Sequence, residues 1–150
     1  AVTRHHEAER SLATLVLSGV LERFPGLKVI CAENGTDWIP LFNKRLDAAV
    51  RRGGSLFPTK LTMTPTDYAR RQLFYTYIGD QQVLRDRHEI GVDNILWSSD
   101  YPHNASSWPR SQEVVDHSFE IVTDPVEQQK LIRDNGMKLY NLAATTSART

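Results

Sequence analysis

Apolar and polar residues alternate along this chain in blocks of two kinds. In "SLATLVLSGVLERFPG" the apolar residues Leu12, Leu15, Val16, Gly19 and Val20 recur at helical spacing, with Phe24 one turn later. Pro25 and Gly26 end that helix. "KVICAE", residues 28–33, is a short unbroken apolar run, the pattern of a strand covered on both faces. "DWIPLFNKRLDAAV" sets Trp38, Leu41, Phe42, Leu46 and Ala49 on one helical stripe, with Pro40 in its first turn. A long loop, "RRGGSLFPTKLTMTPTD", leads into a short helix at "TDYARRQ". "LFYTYI", residues 73–78, is β-branched and aromatic and predicts a second strand. A helix follows between Asp80 as N-cap and Gly91 as stop. "NILWSS", residues 94–99, predicts a third strand. "SSWPRSQEVVDHSFEIV" predicts a helix with Ser and Pro at its start. "DPVEQQKLIRDNGMKLYNL" predicts one more, capped by Asp124 with Pro125 at its first position. Residues 143–150 read as a frayed, flexible tail behind one domain over 1–142.

Strands that alternate with helices predict an α/β fold with a parallel sheet. Three such strands leave two long edges of unpaired backbone groups. Neither edge is blunted by proline or by a run of charge, and no strand precedes the first helix. The pattern therefore predicts a piece of a larger sheet, such as the last units of an eight-fold barrel of roughly 250 residues.

Composition narrows the partners. Lys plus Arg and Asp plus Glu both number 18, so the basic footprint of a nucleic-acid binder is missing. No apolar run approaches the roughly 20 residues of a membrane span. The polar start "AVTRHHEAER" does not read as a signal peptide. A single cysteine, Cys31, forms no internal disulfide and favours a cytoplasmic setting.

The chemistry lies where strands end. Asp100 closes the third apolar run and precedes Pro102, in "ILWSSDYPHN". A carboxylate there serves as metal ligand, general base or helix cap. His103, three residues on, shares its loop. Glu33 takes the matching place after the first strand, in "VICAENG", so two acids face one end of the sheet. Such a pair suits metal or acid–base chemistry. The competing reading is a turn at Asn34-Gly35 with Glu33 bound to backbone amides. His5, His6, His88 and His117 fall in polar helical stretches and read as surface residues. Arg70 and Arg71 read as a solvated face, and Trp38 and Trp97 as core. Phosphate loops, dinucleotide loops, GxSxG and CxxC are all missing.

"SGVLERFPGLKVICAENGTDWIP", "DYARRQ", "GVDNILWSSDYPHNASSWPRS" and "DNGMKLYNL", in this order, resemble the C-terminal part of the amidohydrolase-related family. That family includes aminocarboxymuconate-semialdehyde decarboxylase and gamma-resorcylate decarboxylase. The resemblance implies about three β/α units plus a final helix of a TIM (β/α)8 barrel. It implies one divalent ion, zinc or manganese, held at the barrel mouth by an HxH-type pair, a His and an eighth-strand Asp. The matching position for that Asp is Asp100. Many members carry a catalytic His after the sixth strand, where this chain has "AENG", which puts Glu33 or Asn34 near that place. Upstream ligands do not occur in these 150 residues. The resemblance thus implies a metal-dependent hydrolase or decarboxylase acting on a small carboxylated or lactone substrate. Asp100 would bind the metal, Glu33 would share the catalysis, and Asn34, Trp38 and His103 would line the substrate side. The rival expectation is a non-catalytic half-barrel that uses its open edges for assembly, with its own copies or with the missing half.

Overall fold

The computed structural model describes residues 3–142, so the expected tail lies outside the described residues. Three parallel strands lie side by side: β1 (Val29–Cys31), β2 (Leu73–Tyr77) and β3 (Ile95–Trp97). Ile30 pairs with Phe74, and Thr76 with Leu96. All three sit where the apolar runs predict them, each with shorter bounds than its run. Helices α1 (Arg4–Leu17) and α2 (Val20–Arg23) precede β1. The crossover from β1 to β2 carries α3 (Ile39–Gly53) and α4 (Pro65–Gln72), and the one from β2 to β3 carries α5 (Gln81–Ile90). Helix α6 (Ser111–Ile121) follows β3. The chain then runs through α7 (Pro125–Gln129), a wide turn at Lys130–Asp134, and α8 (Asn135–Leu139).

Local chemistry explains most boundaries. Thr64 and Asp67 form a reciprocal capping box at the start of α4. Asp80 and Asp124 cap α5 and α7 through side-chain bonds to Gln82 N–H and Val126 N–H. The apolar run over residues 12–24 is two helices rather than one. Gly19 takes a left-handed φ of 74° between them, and a Cβ there would meet the Thr59 side chain at 2.5 Å. Helix α6 starts at Ser111, later than the pattern predicts. Ser106 and Ser107 first fold back onto the Ser99 carbonyl, and the Ser106 hydroxyl accepts from Trp108 N–H. The last helix is interrupted by the Lys130–Asp134 turn, whose wider winding is of the π type.

The core fills one side of the sheet. Leu73, Tyr75, Tyr77 and Ile95 point into it and meet Ile39, Phe42, Tyr68, Val83, Leu84 and Ile90 from the helices. The expectation of β1 covered on both faces does not hold. Ile30 points to the opposite side of the sheet and stays 36% exposed. Arg71, expected on a solvated face, is half-buried. It stacks over the Tyr68 ring and donates to the Leu21 carbonyl at 2.7 Å.

One polar device repeats at the N-terminal ends of the strands. Gln72 sits just before β2, and its amide donates to the carbonyls of Phe24 and Leu27 at 2.8 and 3.1 Å. Asn94 sits just before β3 and donates to Arg70 and Leu73 at 2.8 and 2.7 Å. Asn135, at the head of α8, donates to Val92 and Ile95 at 2.7 and 2.8 Å. All three amides are buried. Each ties one β/α unit to the entry of the strand before it, so Asn135 closes the β3 end as a further strand would.

Candidate metal centre

The acids that the sequence sets after β1 and β3 meet at the opposite, C-terminal end of the sheet. Beyond Cys31 the chain leaves the sheet, and Glu33 takes a left-handed φ of 62°. Its N–H donates to the Thr76 hydroxyl on β2 at 3.2 Å, which fixes the turn against the neighbouring strand. Beyond Trp97 the Ser98 N–H still bonds to the Tyr77 carbonyl, and then Asp100 takes a φ of 56°. Such conformations are rare for residues with a Cβ and cost on the order of 1–3 kcal/mol each. Both turns aim a carboxylate inward. The loop then doubles back, with His103 N–H donating to the Asp100 carbonyl at 2.9 Å.

Glu33, Asp100 and His103 thereby offer three donor atoms within 4.8 Å of one another. Their surroundings differ. The Asp100 side chain is 7% exposed, against 44% for Glu33 and 64% for His103. His103 Nδ1 lies 2.7 Å from Asp100 Oδ1 and 3.7 Å from Glu33 Oε2. The hydrogen bond that His103 makes to Asp100, the charge of Asp100 and then the charge of Glu33 raise the His103 pKa above its ordinary value. Two carboxylates of different burial beside one imidazole suit a divalent cation. His103 engages Asp100 Oδ1, and Oδ2 makes no hydrogen bond among the described residues, which leaves that oxygen open to a cation.

These residues line a cavity of about 450 Å3, with Arg4, Gly35, Thr76, Tyr77 and Asp80 among its other walls. A larger hollow of about 610 Å3 adjoins it across Ile78, Gly79 and Ala105, walled by Trp108, Arg110 and His117. The smaller one holds the acid pair and is the better candidate for chemistry. Burial pushes the Tyr77 hydroxyl up to about 12, so it keeps its proton at neutral pH.

Two residues expected on the substrate side lie elsewhere. Trp38 is a core residue, packed edge-on against Phe42 and Tyr75. Its indole N–H donates to the carbonyls of Asn34 and Gly35, so it braces the Glu33 turn from behind. The Asn34 amide bonds to the Ala32 carbonyl at 2.6 Å and holds the same turn. In their stead the cavity gains Arg4 and Thr76. Thr76 was legible as the polar position of an apolar strand, opposite in phase to Tyr75 and Tyr77. Arg4 lies far from Glu33 in the chain, and no spacing rule links them.

The amidohydrolase family profile matches residues 2–142. No curated protein matches the chain at a significant level. Among solved structures, an amidohydrolase from Mycobacterium avium subsp. paratuberculosis K-10 is 26% identical with a TM-score of 0.71, covering 87% of this chain and 32% of its own. 2,6-Dihydroxybenzoate decarboxylase from Rhizobium is 25% identical with a TM-score of 0.63, covering 91% of this chain and 42% of its own. A dihydroxybenzoic acid decarboxylase from Polaromonas sp. JS666, with bound manganese and the inhibitor 2-nitroresorcinol, is 22% identical with a TM-score of 0.69. It covers 91% of this chain and 40% of its own. The chain thus spans well under half the length of these structures. Its match over nearly all described residues, together with the parallel β/α order, makes this chain a member of the amidohydrolase family.

Proposed function

We propose that this chain is the C-terminal portion of a TIM (β/α)8 barrel in a metal-dependent hydrolase or decarboxylase of small carboxylated molecules. The observation that carries the reading is the buried Asp100 carboxylate beside Glu33 and His103, at the end of the sheet where α/β barrels place their working groups. Asp100 would hold one divalent ion, manganese or zinc. When bound, that ion polarises a carboxylate or carbonyl and lowers the pKa of a bound water. Glu33 stands across the cavity with its carboxylate half in solvent, placed to take or give a proton at the substrate. Arg4, on the same wall, supplies positive charge suited to an anionic group. A dihydroxybenzoate is the substrate class drawn from the Rhizobium relative. Phe24, Leu27 and Ile30, exposed beside β1, favour completion of the sheet by further barrel strands.

Metal analysis of the purified protein tests the reading. In a chain that carries the remaining barrel strands, it predicts on the order of one divalent ion per chain. In that complete barrel, Asp100→Asn should release the ion and abolish turnover of 2,6-dihydroxybenzoate while leaving the circular dichroism spectrum unchanged. A variant that keeps metal and rate would make Asp100 a structural turn residue.

A further inference from the structure

Distances within the three-donor cluster separate two roles for His103. Ligands of one ion, at metal–donor bonds of about 2.1 Å, stand about 3.0 Å apart at octahedral angles and about 3.4 Å apart at tetrahedral ones. His103 Nδ1 lies 2.7 Å from Asp100 Oδ1, which is hydrogen-bond spacing and too short for two ligands of one ion. A carboxylate only accepts, so the hydrogen must sit on Nδ1. A nitrogen that carries a hydrogen has no lone pair for a metal. The His103 ring is in turn set by its own loop, through His103 N–H to the Asp100 carbonyl and Ser106 N–H to the His103 carbonyl. On the Asp100 side chain this occupies Oδ1 and leaves Oδ2 without a hydrogen bond among the described residues, on a residue that lines the cavity.

We infer that His103 is a positioning residue for the metal centre: its Nδ1–H holds Asp100 Oδ1 so that Oδ2 is the oxygen presented to the ion. This rests on the metal-dependent reading above. The sequence suggests a substrate contact for His103, and the geometry gives it a different task. Its neutral tautomer is fixed as Nδ1–H, with Nε2 bare.

The test measures Mn2+ affinity by calorimetry on the purified protein and on three variants. His103→Ala should weaken Mn2+ binding by about 10- to 100-fold, the usual cost of losing a residue that orients a ligand. Its melting temperature should stay unchanged, since the ring is largely exposed. His103→Asn keeps an N–H near Asp100 and should recover most of the affinity, which a lost ligand would not. Long-range 1H–15N correlation on the unsubstituted, metal-free protein, at a pH where the ring is neutral, should show the Nδ1–H tautomer. An Nε2–H tautomer overturns the inference, and does so without any variant that must fold. Equal Mn2+ affinity in His103→Ala, or failure of His103→Asn to recover it, also overturns it while the metal reading stands. Asp100→Asn is the separate control on that reading. If the unsubstituted protein binds no Mn2+, the metal reading and the inference fall together.

Discussion

Glu22 shows how much one side chain can organise away from the site. Its carboxylate accepts from the Tyr68 hydroxyl and the Thr62 hydroxyl, and so joins α2, the loop before α4, and α4 itself. Those bonds, Tyr68 first and Thr62 next, lower the Glu22 pKa below its ordinary 4.5. The sign follows directly. A carboxyl with a depressed folded-state pKa adds stability above its unfolded pKa, and that stability is lost as pH falls through the folded value. Tyr68→Phe should therefore flatten the acid limb of a stability–pH profile below about pH 4.5, as read by urea denaturation at several pH values. An acid limb as steep as the parent's would show that the bond does not hold Glu22. At the site, Glu33 and Asp100 carry the opposite economy of form, since both accept a left-handed backbone that stability alone would give to glycine or asparagine. Aim, not packing, accounts for their identity.

Among the elements, the paired amides deserve a quantitative test. Asn135→Ala removes the side-chain bonds to the Val92 and Ile95 carbonyls, of which Val92 keeps the Ile95 N–H as a donor. The expected loss is about 1–3 kcal/mol in urea denaturation, with Mn2+ affinity unchanged. A loss within about 0.5 kcal/mol, the range of an ordinary surface change, would mean that water replaces the amide. These elements also show what the sequence can tell. Strand order, strand type and the caps Asp80 and Asp124 were legible, because they rest on local period and local hydrogen bonding. The Asp100–Glu33 meeting was legible too, since both acids follow apolar runs at one end of a parallel sheet. Gly19 as a break, and the late start of α6, were not. Each depends on a partner distant in sequence or folded back, Thr59 in one case and the Ser99 carbonyl in the other. Trp38 reads two ways in the sequence, as core and as substrate wall, for a related reason. An aromatic beside a site can serve as wall or as buttress, and only its indole bonds to Asn34 and Gly35 decide.

At the scale of the molecule the two faces of the sheet are unequal. One carries the core and the other leaves Ile30 partly open. Ile30→Lys should change the stability of this chain by no more than about 0.5 kcal/mol. In a longer chain that carries the remaining barrel strands, the same lysine would be buried and unpaired and should cost several kcal/mol. Denaturation of the two forms side by side measures the difference, and equal small effects would argue against a strand layer over that face. The ends of the sheet are unequal as well. The amides of Gln72, Asn94 and Asn135 join the units at the entry ends of the strands, whereas Glu33, Asp100 and His103 gather beyond the exits. Heritable change at the two ends therefore has different consequences. Under the proposed function, a substitution among the exit residues changes the chemistry of the site and leaves the unit-to-unit ties intact, because none of the three amides bonds to an exit residue. Divergence of chemistry under a constant architecture follows from where three side-chain amides happen to be anchored.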